Sequence, residues 1–151
     1  LKNDLKTFKV LTTGNGNNAV IMGKNTWLSL GEKPLLNRMN FVLSTSMDEK
    51  NDKNDKNVWV YNDADDLLND ICVSSYDIVW IIGGSQIYDL FIDYCNSVYV
   101  SQTNEEFKCS TFLSKKMKSV LYKYQHQSVM EKEYGKTTLH DAYKRYIYKI
   151  E

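Results

Sequence analysis

A carboxylate set among apolar side chains is the first place in this chain to look for chemistry. Leu1, Leu5 and Phe8 recur at i, i+4 and i+7, the stripe that faces a core when a segment is helical. Asp4 falls on the same stripe. Out of water there, a carboxylate favours its protonated form and needs a polar partner or a ligand. The plainer account is an acidic residue near a helix N-terminus, which the helix dipole favours. Position alone leaves both open.

Two other features could hold a ligand. Gly83-Gly84 follows the apolar Ile81-Ile82, a strand-to-helix turn where glycines admit a ligand to the backbone and the next amides attract phosphate. It is not the G-x-G-x-x-G pattern, and a tight turn made for packing explains it equally well. Arg38 and Arg145 are the two arginines among nineteen basic residues. Where lysine is otherwise preferred, an arginine suggests a need for the planar fork that grips a carboxylate bidentately. A surface arginine is the default alternative.

The elements that must position these residues alternate between helix and strand. Leu1–Lys9 reads as a helix, Thr12–Asn18 as a loop, and Ala19–Met22 as a buried strand. Thr26–Leu30 is a short helix stopped by Gly31, and Met39–Leu43 the next strand. Met47–Asn57 is almost wholly Asp, Lys, Asn and Glu, a solvated surface loop. Val58–Tyr61 is a strand, and Ala64–Ile71 an amphipathic helix with Asp63 as N-cap. Ile78–Ile82 is continuously apolar, as in a central parallel strand covered on both faces. A helix over Ser85–Asp93 and a strand from Val98 follow. After Lys116 the helical signals fade: Val120, Tyr122 and Tyr124 alternate with their neighbours, as do Tyr146, Tyr148 and Ile150. These two runs predict an antiparallel strand pair at the sheet edge. The expectation is one α/β domain over residues 1–151 with seven strands: a mostly parallel central sheet, flanking helices and an antiparallel C-terminal strand pair.

The totals narrow the function class. A chain of 151 residues suffices for one domain. Nineteen basic residues balance nineteen acidic ones, which argues against nucleic acid or an anionic membrane as the main partner. No apolar run approaches the roughly 18–20 residues that span a bilayer. Cys72, Cys95 and Cys109 are odd in number and share no CxxC spacing, so reduced thiols in a cytoplasmic protein are expected. His126 and His140 lack neighbours at ligand spacing, and no metal is expected.

The segment VIMGKNTWLSLGEKPLLNRMNFVLS, Val20 to Ser44, resembles the central signature of dihydrofolate reductases. In that family a strand ending in Met-Gly precedes a basic residue, a Thr-Trp pair and later an Arg before the next strand. DIVWIIGGSQIY, Asp77 to Tyr88, is similar to the second signature of the family, and LKNDLKTFK, Leu1 to Lys9, to the helix that carries its active-site acid. VYVSQTNEEFKCSTFL, Val98 to Leu113, resembles its late strand and turn. The likeness runs in order along essentially the whole chain.

By this resemblance the expected activity is NADPH-dependent reduction of dihydrofolate to tetrahydrofolate, with antifolates as further ligands. Asp4 would bond the pterin amino group and ring nitrogen and favour protonation at N5, and Ser101 would support it where the family usually has Thr. Leu5, Phe8, Leu30 and Leu35 would line the pterin and aminobenzoyl pocket, Arg38 would clamp the α-carboxylate of the glutamate tail, and Ile82 would touch pterin or nicotinamide. On the cofactor side stand Gly23, Lys24, Asn25, Thr26, Ser44, Thr45, Gly83, Gly84, Ser85, Gln86, Ile87 and Tyr88. Of these, Gly83 to Gln86 would cradle the pyrophosphate across a cis bond between the glycines. Lys24 and Thr26 would add donors to phosphates, and Ser44 and Thr45 would meet the adenosine 2′-phosphate. Many relatives carry a basic residue where Thr45 or Asn25 stands, so selection of NADPH over NADH would rest here on Lys24 and hydroxyls. Ser110 replaces an acidic residue usual at its turn.

The sheet of the family has eight strands, against the seven counted here. Its first strand and mobile active-site loop are expected to precede Leu1, so the chain is read as N-terminally incomplete. The family also occurs as the front half of a bifunctional enzyme with thymidylate synthase, fused or associated. The competing readings are an inactive or fragmentary nucleotide-binding domain and a related pterin or pyrimidine reductase.

Overall fold

The computed structural model describes residues 2–49, 57–103, 113–127, 131–135 and 143–149, with side chains over 5–49, 57–100 and 113–123. The expectations for Met47–Asn57 from residue 50 to 56, and for Cys109 and Ser110, lie outside the described residues. The chain groups into two units, Val10–Leu90 and a second made of Leu1–Lys9 with Phe91–Glu151.

In the unit Val10–Leu90, four strands form one parallel sheet. They are β1 (Asn18–Gly23), β2 (Arg38–Leu43), β3 (Val58–Tyr61) and β4 (Val79–Gly83), in the spatial order β3-β2-β1-β4. β1 contains the apolar run Ala19–Met22 and is buried along its whole length. One face of the sheet carries Val20, Met22, Val42, Val58 and Val60, which close on Trp27 of α2 (Lys24–Ser29). On the opposite face Phe41 meets the rings of Tyr61 and Tyr76 at 6.0 and 5.9 Å between centroids. Each fully buried side chain of this size contributes roughly 1.5–3 kcal/mol. The helix α3 (Ala64–Cys72) begins as its sequence predicts, because the Asp63 carboxylate accepts from the amides of Asp65 and Asp66 at 2.7 and 3.1 Å.

Beyond shifts of one or two residues at element ends, three features differ from the sequence expectation. α1 (Lys2–Thr13) runs on through Thr12 and Thr13 and stops at Gly14, which takes φ +52. β4 is an outer strand of this sheet and its Val79 to Ile82 are half-buried, since the central place is held by β1. The helix after the glycine pair, α4 (Ser85–Phe91), gives way to a tighter turn over Ile92–Tyr94.

The second unit holds an antiparallel sheet in the order β5-β7-β6, from β5 (Ser97–Thr103), β6 (Glu131–Gly135) and β7 (Tyr143–Lys149). The terminal strand is therefore present, but its expected partner is not. Residues 120–125 lie inside α5 (Lys115–Gln127), which packs against β7. Met117, Val120 and Leu121 stand at i, i+3 and i+4; Met117 is buried and the other two half-buried, while Tyr122 and Lys123 are exposed. That helical stripe prevails over the alternation of Val120, Tyr122 and Tyr124. β6 reads EKEYG, a polar run with no apolar alternation to announce it.

Candidate active site

β2 opens with a buried cation. Arg38 is 5% exposed, yet among the described residues no carboxylate pairs with it. Its Nε donates to the Leu36 carbonyl at 2.9 Å and its Nη1 to the Thr12 hydroxyl at 2.8 Å. A guanidinium has five N–H donors, so these two bonds leave three without a protein acceptor among the described residues. Burial lowers the Arg38 pKa from its ordinary value, but a guanidinium remains charged. A buried charge without a partner costs several kcal/mol, and an anionic ligand would offset that cost.

The loop before Arg38 is held by Asn40, whose side chain is fully buried. Its Oδ1 accepts from the Leu35 amide at 2.9 Å, and its Nδ2 donates to the carbonyls of Leu35 and Arg38, both at 3.0 Å. Leu35 is thereby fixed, and Leu30, Leu35 and Ile82 all pack on the Val20–Met22–Trp27 cluster. The structure thus brings together three of the apolar residues singled out as ligand-lining. Leu5 and Phe8 stand on the first turns of α1 in the other unit, Leu5 66% exposed and Phe8 half-buried. Asp4 lies on α1 and Ser101 on β5, opposite Arg145 in register; their side chains are outside the described residues.

The carboxyl ends of β1, β2 and β4 share one edge of the parallel sheet, the usual ligand edge of such sheets. There the Gly83–Gly84 peptide is cis, and Gly83 has φ +112. A Cβ on Gly83 would lie 3.2 Å from the Tyr88 hydroxyl, tighter than ordinary contact, and φ +112 strains any L side chain there. Gly84 faces open space: a Cβ there would meet nothing within 4 Å. Gly23, at the end of β1, sits under Ile87, whose Cγ1 would be 2.9 Å from a Cβ. Ile87 is buried by this packing, and Ser85, Gln86 and Tyr88 continue α4, Gln86 being exposed. Burial pushes the Tyr88 phenol above its ordinary pKa.

Lys24 follows Gly23 directly and starts α2. Its Nζ donates to the Ser46 hydroxyl at 3.0 Å. Ser46 in turn shares a hydrogen bond with the Ser44 hydroxyl at 3.3 Å, and its amide donates to Ser44 Oγ at 3.2 Å. Lys24 and Ser44 are therefore joined through Ser46, which the sequence reading did not select. The available signal was the run Ser44-Thr45-Ser46, whose alternate hydroxyls share one side of an extended chain. Thr45 and Asn25 are exposed and Thr26 is half-buried at the same edge.

A separate open depression of about 540 Å³ lies between β3 and α3, lined by Glu49, Trp59, Tyr61, Asp66 and Asp70 among others. It contains none of the candidate residues. Burial and a hydrogen bond to Asp70 hold the Tyr61 phenol protonated well beyond its usual range. Among the described residues, no three His, Cys, Asp or Glu side chains converge to hold a metal ion, and no helix is long and apolar enough to cross a membrane.

A family model described as dihydrofolate reductase matches residues 1–147. Dihydrofolate reductase of Candida albicans is 34% identical over 159 residues, covering 95% of this chain and 78% of that protein. The bifunctional dihydrofolate reductase-thymidylate synthase of Paramecium tetraurelia is 37% identical over 117 residues, 76% of this chain and 23% of that protein. Dihydrofolate reductase of Ureaplasma parvum is 35% identical over 97 residues, 64% of this chain and 58% of that protein. The chain thus spans between about a quarter and three-fifths of the length of the last two. Among solved structures, dihydrofolate reductase from Enterococcus faecalis complexed with NADP(H) and RAB-propyl superposes with a TM-score of 0.77 at 26% identity, covering 99% of this chain and 82% of that one.

Proposed function

Since the chain belongs to the dihydrofolate reductase family, we propose that it performs the reduction of 7,8-dihydrofolate to 5,6,7,8-tetrahydrofolate with NADPH. The observation that carries this reading is Arg38, a buried guanidinium with three donors that meet no protein acceptor among the described residues. A folate tail presents the carboxylate such a fork takes. Leu30, Leu35 and Ile82, packed on one apolar cluster, offer a wall to flat rings, with Leu5 and Phe8 as the residues of α1 assigned to the same ligand.

The residues present fit the cofactor. Gly83 holds a φ that strains any L side chain and Gly84 opens on free space, which suits a pyrophosphate approaching the backbone of Gly83, Gly84, Ser85 and Gln86. Ile87 would act by holding this turn against Gly23, and Tyr88 by packing beside the nicotinamide. Lys24, with Ser44 and Ser46, would meet the 2′-phosphate, with Asn25, Thr26 and Thr45 as exposed neighbours. When bound, NADPH supplies the hydride that the pterin receives at C6. Asp4, supported by Ser101, would orient the pterin through its amino group and ring nitrogen and favour protonation at N5 through a water. The protein contributes orientation and exclusion of solvent.

A cytoplasmic setting suits the free thiols of Cys72 and Cys95. Bifunctional relatives make thymidylate synthase, fused or associated, the natural macromolecular partner. Methotrexate titration followed by thermal shift tests the reading: ligand at a thousand times its dissociation constant adds about 4 kcal/mol. NADPH oxidation should depend on dihydrofolate in the same preparation. Absence of both the shift and the oxidation would overturn the proposal.

A further inference from the structure

We propose that Thr12 and Asn18 are positioning residues for Arg38, a buried hydroxyl that aims the guanidinium and an amide that fixes the helix end bearing that hydroxyl. The inference rests on the reading of Arg38 as the carboxylate clamp and adds to it the means by which the clamp is held.

The contacts form a chain. Thr12 is 2% exposed and sits in the last turn of α1, where carbonyls lack partners inside the helix. The Thr12 carbonyl accepts from Asn18 Nδ2 at 3.0 Å, and Asn18 Oδ1 accepts from the Ile78 amide at 3.1 Å. Asn18 is 3% exposed and stands opposite Arg38 in the β1–β2 register. Its side chain thus ties together the end of α1, the start of β1 and the approach to β4. Gly14 makes room for it: a Cβ there would lie 2.7 Å from Asn18 Nδ2, and φ +52 turns the chain so that its amide donates to Val10 at 3.1 Å.

The geometry at the guanidinium gives this chain a task. A planar fork grips a carboxylate in two parallel bonds only if its plane is fixed to within roughly 10–20°. Leu36 takes Nε and Thr12 takes Nη1. Two anchors on different atoms set the plane, and Nη2 is left facing no protein acceptor among the described residues. Without the hydroxyl the guanidinium could pivot about the Leu36 contact, and the outer edge would no longer be presented in one orientation. A hydroxyl present only to satisfy a helix end would not predict any preference among ligands.

The test compares two ligands in the full chain carrying Thr12→Val, Thr12→Ser and Arg38→Lys. Methotrexate carries the α-carboxylate; trimethoprim, a diaminopyrimidine antifolate, has none. Thr12→Val is expected to weaken methotrexate about tenfold, in line with loss of a hydrogen bond to a charged group, and to leave trimethoprim unchanged. The cost for dihydrofolate falls on KM rather than kcat, and Thr12→Ser restores it. Thr12→Cys, close in size with a poor acceptor, gives the same direction if the valine variant does not fold. Equal loss of both ligands, or no loss of either while Arg38→Lys does lose methotrexate selectively, overturns the positioning role. If Arg38→Lys itself fails to separate the two ligands, the clamp reading falls first.

Discussion

Lys24 and Ser46 meet across the carboxyl edge of the parallel sheet, Nζ to Oγ at 3.0 Å, one from the start of α2 and the other from beyond the end of β2. The contact gathers a cation and two hydroxyls, Ser46 and Ser44. Selection for the 2′-phosphate should then depend on this group. Lys24→Ala is expected to raise the NADPH KM about tenfold, the low end for a charge-assisted bond at an exposed site. Ser46→Ala should raise it less, and neither should alter the NADH KM. Steady-state kinetics with both cofactors check this, and an equal change for NADPH and NADH would remove the 2′-phosphate from the argument.

Gly23 and Ile87 make a second prediction, this time about stability. A methyl at position 23 would sit 2.9 Å from Ile87 Cγ1, the methylene next to the branch point of that side chain, with the Gly83 carbonyl 3.9 Å away. Overpacking of this kind costs typically 1–3 kcal/mol. Gly23→Ala should destabilise by that amount in denaturant unfolding, and far less when Ile87→Ala has already cleared the space. The double-mutant cycle isolates the pair. Additive effects would mean that the glycine serves something other than close packing.

Much of this arrangement was legible because local and long-range signals agreed. Ala19–Met22 of β1 is an unbroken apolar run and is wholly buried; Asp63 stands before an amphipathic run and caps it. Val120–Gln125 misled because Val120, Tyr122 and Tyr124 fit a period of two while Met117, Val120 and Leu121 fit a helix, and burial of Met117 decides between them. Arg38 could be picked out by its rarity, but its partner Thr12 lies 26 residues away and carries no mark of its own. Ser46 was marked only by its place in the run Ser44-Thr45-Ser46, a weak signal, since an exposed serine beside a loop is ordinary until a lysine reaches it.

Tyr88 allows a pH prediction with a fixed sign. Burial raises its pKa above the ordinary value of 10.0, so the folded state keeps a proton that the unfolded chain releases. The stabilisation is complete below the unfolded pKa and is lost as pH rises through the folded one. Melting temperature should fall as pH climbs above about 10, and less steeply in Tyr88→Phe, which has no proton to lose. The same slope in both proteins would assign the alkaline loss to other tyrosines.

The acid proposed for the chemistry sits at Asp4, on the same helix that carries Thr12 in its last turn. An amide at that position can still bond a pterin amino group through its oxygen, but it cannot hold or relay a proton as a carboxylate does. Substitution by Asn should therefore leave ligand binding largely in place while removing the proton step, which is worth roughly 10²–10⁴-fold in rate. Turnover of Asp4→Asn near neutral pH is expected to drop by about that factor. The deficit should shrink as pH falls, because solvent can then protonate the pterin without help. Ser101→Ala, which removes only support for the carboxylate, should cost much less at every pH. A pH–rate profile of the three proteins separates these effects: a deficit in Asp4→Asn that stays constant with pH would point to lost orientation instead, and undiminished turnover would take the catalytic acid away from position 4.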